Sequence, residues 1–275
     1  MIKKLAGYYN EPAMEASQDA RLLLEFCPSE VACVCTENGA LSGLELFSTE
    51  EEWEKTFGEL LAGSRILNRN YREVTCYYLS EEALVVPAQK FDPAAAADYL
   101  ALVFGERYHH DTMHDALANG EQVTAYHIDR NLHDLVGRQY VLYKPRHVYS
   151  GILNKLLART DLPAHLLHLQ VYRDVCVLSL IRDGRLLLIR HFSYRTAEDI
   201  LYYLISVLQQ FPVPKNSAYL EITGRMEEGF LNATRLGKLF GEISCQVPAT
   251  DPGSLLAGLT EYPSYYFTPL INLAI

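Results

Sequence analysis

Three short apolar runs open the most regular part of the chain. Arg21–Phe26, centred on Leu22-Leu23-Leu24, reads as one strand, Val31–Thr36 as a second and Leu41–Phe47 as a third. Between the second and third stands Asn38-Gly39, a pair that suits a two-residue hairpin because both central positions need φ > 0. The period then changes. Trp53, Phe57, Leu60 and Leu61 recur at i, i+4, i+7 and i+8, the stripe of a helix packed on a sheet. Ser48 and Thr49, ahead of Glu50-Glu51-Glu52, predict an N-cap with negative charge over the positive helix end. Val74–Leu79 follows as another strand.

The same order returns further on. Leu166–Tyr172 and Val175–Ile181 are apolar strands, Asp183-Gly184 is the hairpin turn, and Leu186–Phe192 is the third strand. Thr196 caps a helix carrying Ile200, Tyr203, Leu204, Val207 and Leu208, which ends before Pro212, and Tyr219–Ile222 is the next strand. The turns lie 145 residues apart, the caps 147 and the last strands 145. Hairpins and capped helices are common one at a time; three near-equal offsets in one order predict a duplicated strand–strand–strand–helix–strand unit. Between the copies, Asp92-Pro93 starts an alanine-rich helix to about Gly105, followed by a polar, His-rich loop. Strands are expected near Val123–Ile128 and over Tyr140–Lys144, and a connecting helix over His147–Arg159. The domains divide near residue 162, giving 1–162 and 163–275, and the apolar, aromatic tail Tyr262–Ile275 is expected to dock on the body.

Two such units resemble the actin/hexokinase/Hsp70 nucleotide-binding architecture, in which two ribonuclease-H-like lobes face each other across a cleft. The run Phe192-Ser193-Tyr194-Arg195-Thr196-Ala197-Glu198-Asp199-Ile200-Leu201-Tyr202-Tyr203, with Tyr219-Leu220-Glu221-Ile222-Thr223-Gly224, narrows the resemblance. It is similar to a Bacteroidetes family, domain of unknown function 3822, itself similar to actin-like ATPase folds and pilus-assembly relatives. The resemblance spans about Arg21 to Val247 and implies an α+β fold of two ribonuclease-H-like lobes in an actin-like ATPase architecture. It implies no activity.

Active members of that architecture place a Gly-containing acidic loop in the first hairpin of each lobe, where backbone N–H groups approach phosphates and an Asp holds Mg²⁺ through water. The matching loops here read Phe26-Cys27-Pro28-Ser29-Glu30 and Tyr172-Arg173-Asp174. Neither contains Gly, and Pro28 removes a donor. Thr223-Gly224 resembles the glycine turn that packs on adenosine in the class. A surviving site for ATP and Mg²⁺ would therefore be lined by Ser29, Asp174, Thr223 and Gly224. The glycine-free hairpins favour a fold kept without hydrolysis.

Composition narrows the picture further. Of 275 residues, 49% are hydrophobic, which supports a sizeable core without staples. The net charge of −10 argues against a dedicated nucleic-acid binder. The basic start Met1-Ile2-Lys3-Lys4 leads into too short an apolar stretch for a signal peptide, and no apolar run approaches a membrane span. Cys27, Cys33, Cys35, Cys76, Cys176 and Cys245 show no Cys-x-x-Cys pair, and Cys33 and Cys35 share one strand face with Val31, as buried thiols do. The expected compartment is cytoplasmic.

The most metal-like stretch is His109-His110-Asp111-Thr112-Met113-His114-Asp115. On a helix, His110 and His114 would share one face at i, i+4 as zincin ligands do, with Asp111 where those enzymes carry Glu. A third ligand could be His127, Asp129 or His133, and the spacing chooses none. A solvated polar loop accounts for the segment as well. Glu81-Glu82 and Glu227-Glu228 read as surface charge. Tyrosine is abundant at 19 residues, with pairs at Tyr8-Tyr9, Tyr77-Tyr78, Tyr202-Tyr203 and Tyr265-Tyr266 that suit either core filling or a protein interface.

The sequence thus predicts a non-catalytic binding or scaffold protein without a cofactor, engaging a protein partner through a cleft or a Tyr-rich surface. A homo-oligomer is left open. The rivals are a nucleotide-binding ATPase and a metal-dependent hydrolase at His109–His114.

Overall fold

In the computed structural model, the residues described are 2–15, 19–49, 52–211, 213, 214, 217–226, 229, 236–247, 259 and 261–275. The chain divides into two compact units, Met1–Lys155 with Leu273–Ile275, and Leu156–Asn272.

The first unit begins with β1 (Lys3–Tyr9) and α1 (Glu11–Glu15), then the repeat proper: β2 (Ala20–Cys27), β3 (Glu30–Glu37), β4 (Ala40–Ser48), α2 (Trp53–Gly63) and β5 (Glu73–Tyr78). Next come β6 (Ala83–Pro87), a 3₁₀ turn at Pro93–Ala95 running into α3 (Ala96–Phe104), β7 (His110–Ala116), β8 (Gln122–Asp129), α4 (Arg130–Gln139), β9 (Lys144–His147) and α5 (Val148–Leu157). Among the described residues, one sheet has the order β1-β4-β3-β2-β5-β9 and a smaller one the order β6-β8-β7. β2 pairs antiparallel with β3 but parallel with β5, and β5 pairs parallel with β9. Leu22, Leu24, Cys33 and Cys35 from the sheet pack with Phe57 and Leu60 of α2, so the two periodicities meet in one core.

The second unit contains β10 (His165–Val171), β11 (Val175–Arg182), β12 (Arg185–Ser193), α6 (Ala197–Gln210), β13 (Tyr219–Gly224), β14 (Glu242–Cys245) and α7 (Thr268–Ala274). Its sheet runs β12-β11-β10-β13-β14, which reproduces β4-β3-β2-β5-β9 strand for strand with the same directions. The likeness extends to irregularities. Register slips between Cys35 and Thr36 in one unit and between Leu180 and Ile181 in the other, again 145 apart. Asn38 and Asp183 have φ of 50° and 48°, followed by Gly39 and Gly184 at 77° and 73°. Thr49 N donates to Ser29 O and Tyr194 N to Asp174 O, each at 2.9 Å. Bulges, left-handed turns and loop bonds at one offset make the duplication a property of the backbone.

Three expectations change. Thr196 does cap α6, in a full capping box with Asp199, but α2 starts at Trp53 with Glu52 in the cap position and no side-chain cap bond. Thr49 instead sits buried with its hydroxyl 2.9 Å from that of Thr56. Glu50, Glu51, Pro212, Glu227 and Glu228 lie outside the described residues. The His-rich segment is the strand β7, paired along β8, because its side chains alternate between two packed faces despite their polarity. Tyr140 ends α4, and the strand expected over Tyr140–Lys144 begins only at Lys144. α4 itself carries Leu132, Leu135 and Val136 at helical spacing behind the cap of Asp129, whose carboxylate accepts from Leu132 N at 2.9 Å. No helix among the described residues is long and apolar enough to cross a membrane.

Candidate functional site

In the second unit, Asp174 stands in the β10–β11 turn, while Thr223 and Gly224 end β13 beside Gln170 and Val171 of β10. These three residues therefore gather at one end of the sheet. The backbone donors there are engaged, however. Gly224 N donates to Tyr265 O at 3.1 Å, Arg225 N to Val171 O at 2.7 Å and Met226 N to Gly224 O at 2.9 Å. The glycine itself answers to packing: a Cβ at Gly224, with φ of 103°, would lie 2.2 Å from Val171 O. In the first unit, Ser29 occupies the β2–β3 turn beside Pro28, and its carbonyl accepts from Thr49. Tyr78 pairs with Phe26 where the second unit pairs Gly224 with Val171, so an aromatic ring replaces the glycine in the first copy.

That ring helps build a cavity of about 340 Å³ within the first unit. The cavity lies where β2 and β5 end, bounded on its other side by the smaller sheet and the first turn of α4. One wall is apolar. Phe26 stacks on Tyr78 with ring centroids 5.4 Å apart and meets Trp53, the first residue of α2, edge-on at 5.7 Å. Pro28, Leu79 and Leu132 complete it. Burial pushes the Tyr78 phenol far above its ordinary value, and its hydroxyl donates to Tyr143 at 3.3 Å, so it serves as a neutral platform.

The opposite wall is polar. Glu82, read from the sequence as surface charge, is 9% exposed, and its Oε1 lies 2.5 Å from Arg107 Nε. Its carbonyl accepts from His127 N at 3.0 Å, which extends the β6–β8 ladder by one bond and fixes the carboxylate's position. His110 and His127 come together from β7 and β8 with ring centroids 6.0 Å apart. Burial holds the His127 imidazole below its ordinary value; Glu82 opposes this, while His110 and Arg107 reinforce it. Thr112 Oγ1 lies 3.2 Å from His127 Nδ1. Among the described residues, Glu82 Oε2 and His110 Nδ1 of this wall are buried without a hydrogen-bond partner.

The proposed histidine pair does not assemble. Four residues along a strand separate His110 from His114 by about 13 Å, and the His114 ring packs on Phe91 at 5.3 Å. His133 joins Asp111 at 2.8 Å, and Asp129 caps α4. Among the described residues no three metal-ligating side chains converge. Among the described residues the cysteines are free thiols, and all but Cys245 are buried. The cavity escaped the sequence reading because its pieces sit up to 106 positions apart, from Phe26 to Leu132, in elements whose pairing has no local signal.

A family model described as protein of unknown function (DUF3822) matches residues 15–243. Among solved structures, the chain is similar to a Bacteroides thetaiotaomicron protein described as having an actin-like ATPase fold and unknown function. That likeness is 18% identical, covers 86% of this chain and 95% of the other, and has a TM-score of 0.75. A structure of the PilM–PilN type IV pilus biogenesis complex is similar at 16% identity, 92% and 97% coverage and a TM-score of 0.54. The ethanolamine utilization protein EutJ from Carboxydothermus hydrogenoformans is similar at 8% identity, 94% and 90% coverage and 0.50. No curated protein sequence matches the chain. At these identities the shared property is the fold.

Proposed function

The chain belongs to the DUF3822 family and has an actin-like ATPase fold, and on that premise we propose that it is a non-catalytic binding protein which engages a protein partner through the first unit. The observation that carries this reading is the engaged turn at Gly224, where three successive N–H groups already have carbonyl partners. Donors already bonded within the fold are not available to the nucleoside that the resemblance would seat at this turn, and in the β10–β11 hairpin, where the phosphates would lie, Tyr172 N is engaged by Val175 O at 2.8 Å. Pro28 removes another from the matching turn of the first unit. The cavity beside Phe26 and Trp53 offers what a partner's side chain needs instead: an aromatic wall and a few placed polar groups. The PilM–PilN complex is a precedent for this fold in a protein assembly.

Isothermal titration calorimetry of the full chain with Mg²⁺–ATP and Mg²⁺–ADP tests the reading. The expected result is no saturable heat and no phosphate release. Saturable binding that Asp174→Asn removes would overturn it in favour of a nucleotide-dependent protein.

A further inference from the structure

Deepening the partner-binding reading, on which this step rests, we infer that the first unit's cavity receives a guanidinium group carried on a short aliphatic stem. Glu82 is the starting point. The residue is buried with its side chain 11% exposed, one carboxylate oxygen is paired with Arg107, and the other has no hydrogen-bond partner among the described residues. A buried acceptor left unmet keeps its full desolvation penalty, the more so when it is charged, and such atoms in native proteins ask for an explanation. His110 Nδ1 is a second unmet atom on the same wall. A planar group with several N–H donors in a fixed fork is the chemistry that supplies a carboxylate oxygen with a charged donor while keeping further donors for its neighbours; a carboxylate has none to give.

Charge points the same way. The residues that line the cavity include three acidic ones, Glu81, Glu82 and Asp129, against one arginine, Arg107. Burial keeps His127 towards its neutral form, so it adds no compensating positive charge. An anion entering would meet net negative potential, and a cation would be drawn in. The aromatic wall then selects among cations. Trp53, half-buried at the cavity, offers ring surface there, and a flat, weakly hydrated guanidinium stacks on such a face better than a compact ammonium. The source of the group is either a free small cation or an arginine presented by a partner polypeptide; the chemistry of recognition is shared.

Trp53 is the only tryptophan in the chain, so its fluorescence reports on the cavity alone. The full chain is titrated with N-acetyl-arginine methylamide and with its citrulline counterpart, which has the same shape and no charge. The expected result is a saturable change in Trp53 emission, with citrulline at least about tenfold weaker, the fold-change of one lost charge-assisted bond. Glu82→Gln should weaken the arginine derivative about tenfold as well, while the emission of the ligand-free variant stays that of the wild type and verifies its fold. Agmatine binding tighter than an acetyl-Gly-Arg-Gly amide assigns the site to a small cation, and the reverse order assigns it to a polypeptide.

Equal binding of arginine and citrulline, an unaffected Glu82→Gln, or no saturable response overturns the inference. The two proposals fail separately. An empty arginine titration leaves the non-catalytic reading intact, whereas nucleotide heats in calorimetry remove that reading without touching the Trp53 result.

Discussion

Gly39 and Gly224 both have positive φ, at 77° and 103°, yet their surroundings differ. Nothing lies within 4 Å of a Cβ at Gly39, whereas one at Gly224 meets the backbone of Val171 at 2.2 Å. Gly39→Ala should therefore cost about 1 kcal/mol, the left-handed penalty alone. Gly224→Ala should cost at least about 3 kcal/mol, since two paired strands must part to admit it. Chemical denaturation of both variants checks the ordering. At the same scale, His168 is buried in β10, and burial lowers its pKa from 6.5 to about 4, with the Arg159 charge adding to the effect. The fold prefers the neutral ring, so its stability is intact above pH 6.5 and falls as pH drops towards 4, below which both states are protonated. The shift corresponds to about 3 kcal/mol. Denaturant midpoints of the wild type should fall across that window, and His168→Gln should lack this component of the fall.

At the scale of elements, legibility tracked periodicity. The strands β2, β3, β10 and β11 are buried on both faces, and their runs are visible because apolar residues dominate them despite the buried Glu25, His168 and Gln170. β9 reads Lys-Pro-Arg-His and holds its place by pairing with β5 at the sheet edge, where proline is tolerated, so no pattern announces it. β7 is polar apart from Met113 and Ala116, and that polarity makes the segment read as a loop rather than a strand. The two helix starts make a controlled comparison. Thr196 accepts from Asp199 N while the Asp199 carboxylate accepts from Arg195 N and Thr196 N, both at 2.9 Å. Thr196→Ala should cost about 1 kcal/mol in denaturant titration through loss of this cap. The matching position of α2 has no cap to lose.

For the molecule as a whole, the fold was legible because it was written twice. One offset of 145 residues relates turns, bulges and loop bonds, and a family model spans most of the chain. The candidate site was not legible, because it arises where the copies depart from each other. The first copy carries β6, β7, β8 and α4 between its parallel strands β5 and β9, and Tyr78 stands where the second has Gly224. Ser29, Asp174, Thr223 and Gly224 were chosen for what the two copies share with nucleotide-binding folds. Glu82, Arg107 and Trp53 had no shared pattern to draw attention to them. The central claim is that the shared positions now serve packing while the divergent ones serve binding. Thermal unfolding of the full chain in saturating Mg²⁺–ATP tests this most directly, since a ligand at a hundred times its Kd stabilises by about 2.7 kcal/mol. The account predicts an unchanged midpoint; a saturable rise that Asp174→Asn abolishes would contradict it.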